Sequence, residues 1–502
     1  EVADVTFVVD EGPQSRVGLL RVEGDWPDEL GPATAKIPFK SGDLFLPDLL
    51  KTAETKLRET LDDAGYWESR VVTRPEVLNG KVDIVFRIRA GRAATVRNVR
   101  FEGLVATKKK IVEPALHLAP GKPLSSGAIR RTESDLFRLG LFRKVEIRTE
   151  PVEGDPARRD VVVRLDENPR LSLLTTVGYD TEERALGSMT LSDDNLWGLA
   201  RTGSLQAYGS SQRSGLRATI EDRHLDEDLL EGLGTLGIER EERDGFTLET
   251  TGIALQLASP QQRRGTRVQL RYELEDNRFT NVTLDPDAIQ QVLSDEGRRL
   301  DKIRLGGFLG TLILDRRDDP FLPTRGWIAR AEAGIWGKEL LSEATFARVT
   351  GQVAGYVPKG RLTLAGSTRF GLAWPFKDTA AVPLSQRFFA GGADSMRGFA
   401  RDKVGPLDGP GGNALGGESM LVTNLEARYR FWGRAHAVVF YDVGNVWERA
   451  SDFYKGKLRK AAGVGVQYAT PFGALRAEYG WKLDRQEGES PGQFFVSIGE
   501  AF

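Results

Sequence analysis

The stretch Thr423-Asn424-Leu425-Glu426-Ala427-Arg428-Tyr429-Arg430-Phe431-Trp432-Gly433 alternates between two chemistries. Extended as a strand, it puts Asn424, Glu426, Arg428 and Arg430 on one face and Thr423, Leu425, Ala427 and Tyr429 on the other. After the short Phe431-Trp432-Gly433 join the pattern resumes, with Phe440 and Asp442 opposite Val439 and Tyr441. A face this charged must point away from hydrocarbon, because charge at a bilayer midplane costs about 2–4 kcal/mol. An apolar outer face over a polar inner one is the wall of a membrane barrel.

The same period extends in both directions. Leu171, Leu173, Thr175, Val177 and Tyr179 share a face, and Leu475, Ala477, Tyr479 and Trp481 oppose Arg476, Glu478 and Gly480. At the end of the chain Phe494, Val496, Ile498 and Phe502 oppose Phe495, Ser497, Gly499 and Ala501. Candidate strands lie near 171–180, 186–193, 201–210, 213–222, 231–241, 247–258, 264–275 and 302–316. Eight more lie near 325–336, 342–357, 360–371, 416–430, 434–443, 458–470, 472–482 and 492–502. Sixteen strands of about ten residues suit a closed outer-membrane barrel. Joins after even-numbered strands are mostly short, as in Pro358-Lys359-Gly360 and Thr470-Pro471-Phe472. The long joins, near 276–301, 372–415 and 444–457, follow odd-numbered strands. Short periplasmic turns and long external loops place both barrel termini on the periplasmic side. A soluble sandwich has no reason to sort its loops this way.

Composition excludes several function classes. Lys plus Arg is 70 against 72 Asp plus Glu, a net charge of −2, which offers nucleic acid no overall attraction. No cysteine is present, so disulfides, thiol nucleophiles and thiolate-held metals are absent. His117, His224 and His436 are far apart in sequence, and neither a metal nor a cofactor is expected. No apolar run approaches 18 residues and no signal peptide is visible, but a strand-built membrane protein needs no such run.

The first third contains a repeat. Arg16–Gly24 (RVGLLRVEG) matches Thr95–Gly103 (TVRNVRFEG), 79 residues apart. An amphipathic helix follows each, through Leu49, Leu50, Ala53, Leu57 and Leu61, then through Ile129, Leu136 and Leu139. Each helix ends at a glycine, Gly65 or Gly140, suited to a left-handed cap. Two strands complete each copy: Glu68–Arg74 with Lys81–Ile88, and Lys144–Thr149 with Asp160–Leu165. The expected domains are therefore modules at 14–91 and 92–168 and a barrel at 169–502. Val5–Val9 before Glu11-Gly12-Pro13 reads as the tail of another module (1–13), so that at least one more module is expected upstream.

Within the long join, Arg387-Phe388-Phe389-Ala390-Gly391-Gly392-Ala393-Asp394-Ser395-Met396-Arg397-Gly398-Phe399 resembles the sixth-loop signature of the BamA/TamA superfamily. Met396 stands where Val or Ile is more usual. Leu314–Pro320 with Pro323–Gly326, Tyr441–Asn445 and Phe495–Phe502 also resemble that superfamily. The serial modules resemble its periplasmic POTRA domains, and the Phe-Phe-Ala-Gly-Gly form is closer to the TamA branch. The resemblance implies an in-folded sixth loop anchored through Met396, Arg397, Gly398 and Phe399, with Arg397 meeting Glu426 and Asp442 on the lumen wall. It also implies assembly or insertion of outer-membrane β-proteins in a Gram-negative-type outer membrane.

A seam between first and last strands follows from barrel closure. Thr175, Thr176 and Gly178 dilute one strand, Gly499 interrupts the other, and Phe495, Ile498 and Phe502 complete it. An opened edge would accept a client strand by β-augmentation. Glycines that only accommodate curvature are the plainer reading. Phe502 further resembles the terminal recognition signal of outer-membrane proteins. The expected partners are unfolded outer-membrane clients, lipids and an inner-membrane or lipoprotein partner at the modules, whose sheet edges near 68–74 and 144–149 are candidate docking strands. Three other readings compete: a two-partner-secretion exporter that passes chains through the lumen, a passive porin, and an enzyme. No GxSxG, HExxH or P-loop supports the enzyme, and a porin would need neither modules nor an Arg-Gly-Phe loop.

Overall fold

The computed structural model describes residues 14–78, 80–226, 230–260, 265–287, 302–409, 412–470 and 473–498. The expected upstream tail, Gly499 and Phe502 lie outside the described residues. The chain divides into two compact units, one mainly residues up to Arg170 and the other mainly from Leu171 onward.

Each module of the first unit is a three-stranded sheet under helices. β1 (Arg16–Asp25), α1 (Pro47–Asp63), β2 (Arg70–Leu78) and β3 (Lys81–Arg89) form the first. β4 (Thr95–Glu102), α2 (Lys109–Val112), α3 (Ser126–Arg138), β5 (Phe142–Val152) and β6 (Asp155–Glu167) form the second. The sheet orders are β1-β3-β2 and β4-β6-β5. The last strand of each module is central, and this explains its sequence. Val82, Ile84, Phe86 and Ile88 alternate inward and are buried against Ala53, Leu57 and Leu61 of α1. Val161, Val163 and Leu165 do the same against Ala128 and Leu136 of α3. Gly65 and Gly140 take positive φ just past the helices, at +95° and +73°. The expected strands at 68–74 and 144–149 prove to be edge strands, β2 and β5.

The second unit is one sheet of sixteen strands. Its first hairpins are β7 (Leu171–Asp180) with β8 (Arg184–Leu196), β9 (Arg201–Gly209) with β10 (Arg213–Asp226), and β11 (Leu230–Arg243) with β12 (Phe246–Ala258). Then come β13 (Thr266–Thr280), β14 (Ile303–Asp315), β15 (Gly326–Trp336), β16 (Phe346–Lys359) and β17 (Leu362–Pro375). β18 (Ser419–Trp432), β19 (Ala435–Trp447), β20 (Arg459–Thr470), β21 (Gly473–Lys482) and β22 (Gly492–Ile498) complete the wall. Each strand pairs with its neighbours in chain order, giving a nearly closed antiparallel barrel. All sixteen expected strands are present. The main differences are at the ends: β13 continues to Thr280 where the sequence suggested 275, and the sixth-loop segment spans 376–418.

The wall has the two faces that the alternation required. Asn424, Glu426, Arg428 and Asp442 are buried in the lumen, whereas Leu425, Tyr429 and Val439 are exposed outside. The lumen is packed near the long join. Phe388, Ala390, Met396, Phe399 and Val404 of that segment form one buried cluster with Leu305, Trp336, Phe346, Val422 and Val446 of the wall.

Candidate functional site: the loop anchor and the seam

Arg397 is 1% exposed and its guanidinium is fully engaged. Its Nε and Nη2 donate to the two carboxylate oxygens of Asp442, both at 2.8 Å, a fork matched to a carboxylate. Its backbone N–H donates to the same Asp442 at 2.9 Å. Nη1 donates to Glu426 and, at 3.3 Å, to Glu478. The guanidinium carbon lies 3.7 Å from the ring centroid of Phe440. The structure thus brings Arg397, Glu426 and Asp442 together.

The buried cluster interleaves opposite charges. Arg428 donates to Glu426 at 2.7 Å, and Arg476 lies 3.5 Å from Glu478. Three arginines therefore face three carboxylates in a site sealed from water, where an unpaired charge would be costly. Asn424 joins loop to wall by donating to Ser395 O at 2.7 Å and to Asp442 at 2.9 Å. Arg476 reaches Asp394 of the loop at 2.7 Å. Glu478, Arg476, Asn424 and Phe440 lay on the expected lumen face, but sequence reasoning gave them no role. Their alternation was the available signal; what it lacked was the loop's position along the barrel axis.

Gly398 has φ +100° and sits on bare backbone. A Cβ on Gly480 of β21 would fall 2.6 Å from Gly398 N and 2.8 Å from Arg397 C. The two glycines are therefore the close approach of loop to wall. Met396 and Phe399 are fully buried on either side of this contact. Phe399 lies under two cations, with Arg459 at 4.6 Å and Lys482 at 5.4 Å from its ring centroid.

The seam departs from simple closure. The first and last strands were expected to pair, yet among the described residues β7 and β22 share no ladder. Thr181, just past the end of β7, donates its N–H to Val496 O at 3.0 Å, and Val496 N–H donates to Thr181 Oγ1 at 3.2 Å. Among the described residues, the hydrogen-bonded contact is made where the far end of β7 meets the interior of β22. Thr175, Thr176 and Gly178 are, among the described residues, paired with β8 alone, at Met189, Ser188 and Leu186. Phe495 is buried and Ile498 exposed on β22.

The comparisons with known proteins fit this geometry. The Omp85 superfamily domain matches residues 195–502, and the POTRA domain, described as a surface antigen variable number repeat, matches 32–91 and 94–168. Outer membrane protein assembly factor BamA of Nitratidesulfovibrio vulgaris is 27% identical over 99% of this chain, which spans 63% of that relative's length. The BamA of Neisseria meningitidis serogroup B is 22% identical over 99% of this chain and 68% of its own. Both are named for the BamA branch rather than the TamA branch. The crystal structure of BamA from Haemophilus ducreyi lacking POTRA domains 1–3 shares the fold, with TM-score 0.76, 21% identity, and coverage of 96% of this chain and 99% of that one. With a family match over more than half its length, the chain belongs to the Omp85 superfamily.

Proposed function

We propose that this chain assembles β-barrel proteins in the outer membrane, with its modules in the periplasm, and that clients enter strand by strand at the seam. The observation that carries this reading is the free edge of β7. Its backbone N–H and C=O groups from Leu171 to Asp180 are paired on one side only, among the described residues. An unpaired strand edge is a template for another strand. The role is that of an assembly scaffold, with no catalytic step and no nucleic acid. Docking of clients, or of an inner-membrane or lipoprotein partner, falls to the modules.

The lumen favours this over export through the barrel. A passing chain would have to displace the packed loop and break its Arg397 cluster, whereas a seam mechanism leaves both in place. The test is a disulfide lock. With no native cysteine, pairs can be scanned between Leu171–Asp180 and Gly492–Ile498 without background, seeking Cβ separations of about 3.5–4.5 Å. A locked seam should abolish client insertion, and reduction should restore it. Full activity in a completely locked barrel would overturn the reading and favour the lumen route.

A further inference from the structure

The outer wall carries a built recess that barrel assembly does not require. Two hydrogen-bonded rows cross it from β10 to β14. One row reads Ile220, Gly234, Leu255, Tyr272, Phe308 and the next reads Asp222, Gly232, Leu257, Leu270. Ile220, Leu255, Leu257, Leu270 and Phe308 are exposed, which places both rows on the outer face. Gly232 and Gly234 remove two side chains from the middle of the rows. What remains is a cavity of about 670 Å³ with those leucines and aromatics as walls. That size lies within the range of small-molecule sites, about 300–1,000 Å³.

The polar end of the recess is as unusual as its floor. Asp222 is on the outer face, in the row of Gly232, and Arg201 Nε donates to it at 2.7 Å. Arg201 opens β9, so the pair stands at the end of the wall that carries the barrel termini. A charge facing lipid is tolerated near an interface, at about 0–1 kcal/mol, far better than at the midplane. The recess is thus apolar along its length and carries the Arg201–Asp222 pair at its mouth.

We propose that this recess holds one phospholipid of the periplasmic leaflet, with an acyl chain over Gly232 and Gly234 and a phosphoethanolamine headgroup at Arg201 and Asp222. The chemistry is complementary at both charges: the guanidinium meets the phosphate and the carboxylate accepts from the primary ammonium. A choline headgroup has no N–H to donate, and a glycerol headgroup brings no cation to the Arg201–Asp222 pair. The proposal needs only that the barrel sits in a bilayer, and it is independent of the client-assembly reading.

The test is native mass spectrometry of the full chain in detergent, titrated with phosphatidylethanolamine, phosphatidylcholine and phosphatidylglycerol of identical acyl chains. One ethanolamine lipid should bind at least about tenfold more tightly than either other lipid, the effect of one charge-assisted hydrogen bond. Gly234→Leu should reduce its occupancy at least about tenfold, since a Cβ there meets only Leu255 at 3.8 Å and the wall can accept it. Ile220→Trp, which fills the recess from its other wall, should do the same, so that the result does not hang on one variant's folding. Asp222→Asn should erase the preference for ethanolamine over choline. Equal binding of the three lipids, or unchanged occupancy in a folded Gly234→Leu or Ile220→Trp barrel, would overturn the proposal.

Discussion

Asp62, at the end of α1 in the first module, caps the first turn of α3 in the second: it accepts from Ser125 Oγ at 2.6 Å, Ser126 N–H at 2.6 Å and Gly127 N–H at 2.8 Å. The positive end of α3 thus receives its counter-charge from the neighbouring module. Ala94 N–H donating to Gly65 O at 3.0 Å is a second tie. Together they tie the tandem modules to each other, where a flexible linker would have left them independent.

The joint should be pH-sensitive. Burial opposes ionisation of Asp62, but the hydrogen bonds from Ser125, Gly127 and Ser126 outweigh it and hold the carboxyl below its usual range. A depressed acid contributes fully above the unfolded value of about 3.9, and its contribution is lost as pH falls through the lower folded value. Hydrogen exchange at Ser126 and Gly127 reports it directly. At neutral pH, Asp62→Ala should lose about 1.5–3 kcal/mol of protection there, whereas the native chain should approach the variant only in strong acid.

Arg397→Ala should release the loop. Stranding buried carboxylates costs about 3–5 kcal/mol, and the barrel ladder, which does not use the loop, should still form. Limited proteolysis within 376–418 is expected to rise in Arg397→Ala and Asp442→Ala barrels. The double variant should be little worse than either single one, because the two residues share one contact. Strict additivity would mean that they do not act together.

Gly480→Ala should reproduce that release without touching a charge. Its Cβ would press on the backbone of Arg397 and Gly398, which no rotamer change can relieve. Gly355→Ala in β16, whose Cβ would meet nothing within 4 Å, is the matched control and should be silent. The same proteolysis assay separates them, and equal protection of both would show that the close approach is slack.

The barrel was legible because alternation is a local property: each strand states its own inward and outward residues, as Asn424 to Tyr429 do. The modules were legible because Ile84 and Phe86 repeat the pattern of Val161 and Val163 at a fixed distance. The anchor was legible through the Arg397 signature and the acids on facing strands. Glu478 was not, since its part depends on how deep a long loop descends, which no local pattern encodes. Nor was the contact at the seam, because Thr181 meeting Val496 depends on the cumulative register of sixteen strands.

The module edges show a similar limit, and they yield a last test. β2 was expected to offer an open edge, but its Thr73 N–H already donates to Glu54 of α1 at 3.1 Å, and Pro75 has no N–H to give. This edge is blunted against unplanned pairing. A client strand docking there must displace Glu54, so the carboxylate competes with it for one hydrogen bond. Glu54→Ala should therefore strengthen docking by the net value of one such bond, about 0.5–1.5 kcal/mol, or roughly two- to tenfold. A photo-crosslinker at the exposed Val72 would read this as a higher yield of client adducts in the variant. A yield that is substantial but indifferent to Glu54 would place docking elsewhere on the module, at the β1 edge or the helices. Capture at β2 that falls in Glu54→Ala would mean that Glu54 contacts the client itself.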